Sequence, residues 1–429
     1  MNRFFVSFFA LLFLVSCSSK ERIKGVREEL VVAEANEDII NGLDTSKVII
    51  DSSVKNREYC QPFLNASHYY SPMRFSTSPL EKWSSKIDFE VTGSLKTTAS
   101  PVIAEGKVFC IDAAGVVYAF NRKNGERLWR TSTTVVGKDG QIGGAIAYDN
   151  GRVIVTSSFS ECFLLDSQTG KIIWRIKLPA PCKGDGITIF NKKAFLMCSN
   201  SSLQAIDIGC GKILWSHSGM IADSTYIGSS GAAVDNGVIY LAYPSGEVYA
   251  LLIENGATIW SSVMSKFSLT NASHAFSHPR ACPIVKDGVV YVVAASGQTV
   301  AFDAKTGKVL WRNDFGSVQT PVVSGNSIFV FNSKSEVACL NKENGKRRWS
   351  KKLTLDEDHI SDWYGMLLID DYLAMLSPKG YMTFVSVYDG KIKKTIDIND
   401  GDDGISVNPV VADGVMYILL DCGRIVAYR

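Results

Sequence analysis

Past residue 80 the chain alternates short apolar runs with tight polar reversals. Residues 281–312 show one unit of the pattern. Ala-Cys-Pro-Ile-Val leads to a turn at Asp287-Gly288, Val-Val-Tyr-Val-Val to a turn at Ser296-Gly297, and Thr-Val-Ala-Phe to a turn at Thr306-Gly307, before Val-Leu-Trp-Arg closes the unit. β-Branched and aromatic residues fill the runs while Asp, Asn, Ser and Gly fill the turns, the composition of antiparallel hairpins. No long window beyond residue 80 keeps a 3.6-residue period, so the pattern predicts an all-β domain.

The unit repeats with a fixed ending. Gly and Trp recur four residues apart at Gly125/Trp129, Gly170/Trp174, Gly211/Trp215, Gly256/Trp260, Gly307/Trp311 and Gly345/Trp349. A seventh copy, Asp389 to Lys394, keeps the turn and loses the tryptophan. Four short strands per unit, repeated with radial closure, predict a β-propeller. Full units fall near 97–133, 141–178, 183–219, 228–265, 278–315, 317–353 and 361–398. Val407 to Arg429 supplies only three strands, and Leu80-Glu81-Lys82-Trp83-Ser84 carries a tryptophan suited to the missing fourth. A strand over 80–88 closing the last blade gives eight four-stranded blades. The alternative, seven blades and a dangling hairpin, leaves an exposed sheet edge that invites aggregation. Trp83, Trp129, Trp174, Trp215, Trp260, Trp311 and Trp349 are expected to pack on the glycine turns of neighbouring blades, burying on the order of 150–250 Å² each. A cofactor-stacking role does not suit residues that ring the outside.

The two ends of such a ring differ. One carries tight turns such as Asn150-Gly151, Asn236-Gly237, Asp287-Gly288 and Thr169-Gly170. The other carries long, irregular blade-to-blade loops, notably 216–229, 262–279 and 352–364. Long loops on a rigid scaffold are where binding concentrates.

The N-terminus has a different character. Asn2-Arg3 precedes an apolar run from Phe4 to Ser16, shorter than the ~20 residues that span a bilayer. Residues 1–17 therefore read as a signal peptide. Leu14-Val15-Ser16-Cys17 resembles the lipobox of bacterial lipoproteins, which implies lipidation of Cys17; an ordinary secretory signal is the alternative. Ser18, in place of the aspartate that retains many such lipoproteins in the inner membrane, implies outer-membrane sorting. Residues 18–79 are polar and acidic at first and are expected to form a flexible tether of about 45 Å mean span. Within it Val48-Ile49-Ile50 is an apolar patch suited to the propeller flank, which the sequence leaves open.

Composition narrows the function classes. Forty-five basic and 43 acidic residues are well mixed, for a net charge of +2, and no basic stripe marks a nucleic-acid binder. Ten cysteines include Cys17, and the nine others form no C-x-x-C. Cys110, Cys162, Cys198, Cys339 and Cys422 sit in apolar runs, as small hydrophobes do; pairs such as Cys198 with Cys210 stay open. His274 and His278 lie four apart, but on a loop without a partnering Cys or carboxylate. Asp397 to Gly404 lacks the closing glutamate and the ligand spacing of a calcium loop. No G-x-S-x-G, P-loop or dinucleotide fingerprint occurs. Neither catalysis nor a metal nor a cofactor is expected.

Residues 301–311, Ala-Phe-Asp-Ala-Lys-Thr-Gly-Lys-Val-Leu-Trp, resemble the A-x-D-x-x-T-G-K-x-x-W motif of the pyrroloquinoline-quinone-like repeat. Two branches share that repeat. Quinoprotein dehydrogenases hold a quinone and calcium over the propeller axis, whereas the BamB family of outer-membrane assembly lipoproteins holds no cofactor. The lipobox, the bare-propeller length and the absence of a Cys-Cys dipeptide make the chain more similar to the BamB family, over 80–429 and the signal. The resemblance implies a non-catalytic scaffold of the outer-membrane β-barrel assembly (BAM) complex, lipid-anchored and facing the periplasm. It implies that the loop face binds the periplasmic domains of BamA and assists insertion of outer-membrane proteins, with unfolded precursors as further partners. Alternatives are a quinone- and calcium-dependent dehydrogenase and a surface-exposed ligand-binding propeller. The family's two contact motifs, Leu-x-Leu-Arg and Asp-x-Asp, map to Ser224, Tyr226 and Ile227 and to His278 and Arg280. Neither is preserved, and two carboxylates have become His278 and Arg280, which implies a co-varied partner or a different local contact.

Overall fold

Each repeat folds into one four-stranded antiparallel sheet, and eight such sheets form a ring, an eight-bladed β-propeller. The structure is a computed structural model that describes residues 43–87, 99–133, 144–182, 184–220, 230–264, 281–295, 297–317, 319–353, 364–377, 379–398 and 404–429. Blade 1 consists of Val102–Ala104, Lys107–Ile111, Val116–Asn121 and Arg127–Ser132. Blades 2 to 7 repeat that order as far as Ile392–Asp397. First strands of neighbouring blades approach one another, as Val102–Ala104 does Ile146–Asp149, and so line the axis. Second and third strands are covered on both faces, which is why they read as continuous apolar runs. Fourth strands, such as Ile172–Lys177, form the rim and alternate exposed with half-buried residues.

Blade 8 draws on both ends of the chain. Val410–Ala412, Val415–Leu420 and Arg424–Tyr428 are completed by Glu81–Lys86, which pairs antiparallel with Arg424–Tyr428. Leu80 and Arg429 exchange two backbone hydrogen bonds of 2.9 Å. The closing strand even reproduces a bulge found in the other blades. In blade 1 Ala119 faces Trp129 while Phe120 faces Arg127, so Leu128 is skipped. In blade 8 Ala427 faces Trp83 while Tyr428 faces Glu81, so Lys82 is skipped.

The turn glycines and the tryptophans meet between blades. A Cβ placed on Gly125 of blade 1 would lie 2.5 Å from Cε3 of Trp83, whose strand belongs to blade 8. The same contact joins Trp129 to Gly170, Trp174 to Gly211, Trp215 to Gly256, Trp260 to Gly307, Trp311 to Gly345 and Trp349 to Gly390. Each of the seven indoles also donates its Nε1–H, over 2.8–3.2 Å, to the carbonyl three residues before that glycine. The turn is held open for the indole by its own acid: Asp303 accepts from the amide and hydroxyl of Thr306 at 2.7 Å each, and Asp166 holds Thr169 likewise. Those bonds from threonine keep both carboxyls below their usual range.

Lys394 occupies the tryptophan position of blade 7, opposite Phe384. Its neighbour, blade 8, has no turn between third and fourth strands, because the two chain ends meet there. With no glycine to cover, an indole has no seat, and Lys394 Nζ instead donates to Ser78 Oγ at 2.7 Å. Tyr428 bridges the same junction, its hydroxyl donating to the Ile398 carbonyl at 2.8 Å.

Residues 43–79, expected as part of a flexible coil, lie against the tight-turn end of the ring. Between Asp51 and Met73 this strap bonds to the first strand, or the turn ending it, of every blade. Tyr59 exchanges two 2.8 Å backbone bonds with Ile103 of blade 1. The carbonyls of Cys60, Ala66 and Ser67 accept from Tyr148, Val234 and Val285 of blades 2, 4 and 5. Gln61 brackets Ile189 of blade 3, and Asp51 accepts from the Gly325 amide of blade 6. Met73 bonds to Leu368 and Asp370 of blade 7, and Asn56 to Val411 and Asp413 of blade 8. Inner strand edges would otherwise present unpaired amides to the axis. Tyr59, Tyr70, Met73 and Phe75 of the strap are buried against the blades, whereas Ile49 of the apolar patch is exposed.

Two outcomes test this packing. Gly307 and Gly288 both sit in blade 5 with φ of +71° and +74°, but only Gly307 has an indole where its Cβ would fall. Gly288→Ala should cost about 1 kcal/mol, the strain of a left-handed alanine. Gly307→Ala should cost about 3 kcal/mol or more in urea unfolding, because backbone and ring must part. Equal losses would show that the indole contact adds nothing. The second concerns His68, 1% exposed in the strap, whose Nδ1–H donates to the Pro283 carbonyl at 2.8 Å. Burial pushes its pKa down to about 4, against the opposing effect of that bond. The unfolded chain therefore takes up a proton that the folded one refuses. Stability should be whole above about pH 6.5 and fall by up to ~3 kcal/mol as pH drops to about 4. His68→Asn, whose amide can keep the bond, should flatten that slope in unfolding measured across the window.

Candidate partner-binding face

The end of the ring opposite the strap carries the turns between second and third strands and the connections between blades. Two of the long connections attach there, 221–229 from blade 3 to blade 4 and 265–280 from blade 4 to blade 5. Ser224, Tyr226, Ile227, His278 and Arg280 fall in these segments and lie outside the described residues, as do Cys17 and His274. Of the stretch Asp397 to Gly404, residues 399–403 lie outside as well.

The footing of both segments is described, and it converges on one turn. The Met220 amide, where the first segment departs, donates to Glu247 Oε2 at 2.8 Å. The Met264 amide, where the second departs, donates to the Gly246 carbonyl at 2.9 Å. Gly246 and Glu247 belong to the same turn of blade 4. The returning ends also meet: Ser230 Oγ donates to the Ala281 carbonyl at 2.9 Å, and the Gly231 amide to Cys282 Sγ at 2.9 Å.

Beside that turn stands an aromatic ledge. His217 Nδ1 and the Tyr243 hydroxyl are 2.8 Å apart, and the His217 ring stands edge-on to Tyr249 at 4.7 Å. Glu247 also accepts from Ser245 Oγ at 2.9 Å and from the Tyr249 hydroxyl at 2.8 Å. Gly219 is what admits the Tyr243 ring, since a Cβ there would run into it. Burial opposes the charge on Glu247, but the Met220 amide, the two hydroxyls and His217 outweigh it and hold the carboxyl below its usual range. Burial pushes His217 below its usual range in spite of Glu247. Tyr243 is buried within this cluster, while His217, Tyr249 and the ionised Glu247 are half-buried at its edge. Sequence reasoning did not single out these four residues; the only signal was the Ser245-Gly246 turn, one reversal among many.

Thiol chemistry is muted. The nine described cysteines are free, with Cys198 buried and Cys210 exposed, so that pair does not form. Burial raises Cys110, Cys162, Cys182, Cys282 and Cys339, and Cys198 is pushed up to about 11, which keeps them protonated. Among the described residues no three His, Cys, Asp or Glu come together as a metal site.

Eight blades of this repeat, clasped by indole on glycine, define the propeller class of the pyrroloquinoline-quinone-like repeat. Within that class the chain belongs to the family of outer membrane protein assembly factor BamB, whose profile matches residues 80–140 and 113–351. BamB of Yersinia pestis is 24% identical over 362 residues, covering 82% of this chain and 89% of that protein. The crystal structure of BamB from Moraxella catarrhalis superposes with a TM-score of 0.70 at 16% identity, over 82% of this chain and all of the other. A quinohemoprotein alcohol dehydrogenase from Comamonas testosteroni shares the fold, with a TM-score of 0.66 at 12% identity over 87% of this chain and 81% of its own.

Glu247 fixes where the first segment leaves the ring. Glu247→Ala should speed hydrogen exchange of the Met220 amide at least about ten-fold, since a bond to a charged acceptor contributes ~1.5–3 kcal/mol. Amides at the Trp83–Gly125 junction should be unchanged. Because the folded carboxyl titrates below its unfolded value near 4.5, the difference between variant and parent should be full above that pH and shrink as pH falls beneath it.

Proposed function

We propose that the chain is a lipid-anchored, periplasm-facing scaffold of the BAM complex that docks the periplasmic domains of BamA on its inter-blade-loop face, between blades 3 and 5. Membership of the BamB family supports the assembly role. The observation that carries the choice of face is the strap: one end of the ring is bonded to the chain's own residues 51–73, whereas at the other two long connections leave from a single turn. Binding concentrates where long loops stand on a rigid base, and the second end supplies long connections on such a base. Cys17 is the lipid site under this reading, and Ser224, Tyr226, Ile227, His278 and Arg280 form the contact. The positive charge of Arg280 asks for an acidic counterpart on BamA. Unfolded barrel precursors are guided by the same face.

Photo-crosslinkers placed at Tyr226 and Arg280 in cells should capture BamA, and the same probe at Lys123, on a tight turn of the opposite end, should not. Outer membranes that yield the lipidated protein with no BamA attached, by crosslinking or co-purification, would overturn the assignment. Cys17→Ser should release the protein from the membrane fraction, which checks the anchor separately.

A further inference from the structure

We propose that the rim of blades 6 and 7 is a docking surface for an anionic phospholipid bilayer. This rests on the lipid-anchor reading of Cys17. The outer strand of blade 6 reads Arg347-Arg348-Trp349-Ser350-Lys351-Lys352, with four cations and no carboxylate. The outer strand of blade 7 adds Lys393 and Lys394 against one acid, Asp397. The corresponding strands of blades 3 and 4, Ile213–Ser218 and Thr258–Val263, carry no Lys, Arg, Asp or Glu. The outer strands of blades 1 and 2 carry two cations each and no acid, so blade 6, with four, is the peak of a more widely basic rim.

Nearby acid offsets part of it. Asp389 pairs with Lys391 at 3.2 Å, Asp44 keeps its charge on the neutral donors Ser46, Asn341 and Asn344, and Glu336 stands opposite Lys352. The cations of the two strands outnumber these acids. Lys351, Lys352, Lys393 and Lys394 remain exposed.

The second observation is where the tether joins. Leu43 bridges to Arg347, and the Asp44 amide donates to the Arg347 carbonyl at 2.9 Å. The chain arriving from Cys17 therefore meets the ring on the same basic strand. Exposed apolar groups lie on these edges as well, Leu43 at 76%, Tyr388 at 51% and Ile392 at 41%, as they do on other outer strands at Ile173 and Leu310. Lysines on long stems beside tyrosine and aliphatic side chains are the composition of a membrane interface. The cations are spread along two adjacent edges and do not converge, which suits a plane of headgroups better than one phosphate. With this rim on the bilayer the ring stands on edge, and the loop face looks along the membrane toward a neighbouring protein.

Each lysine near an anionic surface is worth about five-fold in partitioning. The polypeptide from Ser18 to Arg429, which carries no acyl chain, should co-sediment with phosphatidylglycerol vesicles and not with phosphatidylcholine vesicles. Lys351→Glu/Lys352→Glu/Lys393→Glu should weaken that binding at least about thirty-fold with the thermal unfolding midpoint unchanged. Lys171→Glu/Lys212→Glu, on blades 2 and 3, should change it less than three-fold. No preference for anionic vesicles, or equal loss in both variants, overturns the proposal. So does capture of a polyglutamate peptide without vesicle binding, which would assign the sector to an acidic protein. Labelling of Cys17 with a tagged fatty acid in cells reads the anchor independently, so a failed rim and a failed anchor are told apart.

Discussion

The ring depends on an indole seated on a glycine that has no Cβ. That contact is local in sequence logic and long-range in space: the glycine belongs to one blade, the tryptophan to the blade before it. Each indole spends its face on the glycine turn and its Nε1–H on the same turn's carbonyl, so ring contact and hydrogen bond demand one geometry. Seven such clasps leave one junction, between blades 7 and 8, which must be made otherwise because the chain ends occupy the turn. Lys394 and the absent turn are thus one feature seen from two sides. The closure of blade 8 by Glu81–Lys86 and the lost tryptophan of the seventh repeat require each other.

The strap adds a second constraint, orthogonal to the first. Clasps act between neighbours at the rim, whereas residues 51–73 reach all eight blades near the axis. A neighbour-only ring can open at its weakest junction, and the strap ties blades 6, 7 and 8 directly to blade 1. It also covers first-strand edges at one end of the ring. The protein is left with a single decorated end, and the asymmetry comes from its own N-terminal segment.

The fold was legible from sequence because its determinants are side chains with strict requirements. Gly307 cannot be replaced without striking Trp260, Asp303 must hold Thr306, and the spacing of these residues therefore shows through the repeat. The eighth blade was legible by subtraction, from three strands at one end and a stray Trp83 at the other. The strap was not, for a physical reason. Many of its bonds are backbone to backbone, as at Tyr59 with Ile103 or Ala66 with Val234, and such bonds leave no side-chain period; the others use scattered side chains such as Asp51, Asn56, Gln61 and His68. Its aromatic residues were visible, but nothing in their order says that they meet the axis. The His217, Tyr243, Tyr249 and Glu247 ledge was hidden differently. Its members come from a rim strand and a hairpin turn of adjacent blades, and only the ring brings them together.

The division between rigid ring and decorated end accounts for the pattern of change in the contact loops. Residues in the clasps are locked to one another, so a change in one must be met by its partner within the same chain. Under the proposed docking, His278 and Arg280 answer to their partner on BamA. The described footing of their segment does not involve them: the Met264 amide bonds to the Gly246 carbonyl, and the Ala281 carbonyl accepts from the Ser230 hydroxyl. The scaffold can hold its shape while its partner surface changes sign. Charge reversed in the loops is therefore compatible with unbroken membership of the family, and under the docking proposal it asks for a matching change on the partner and none in the fold.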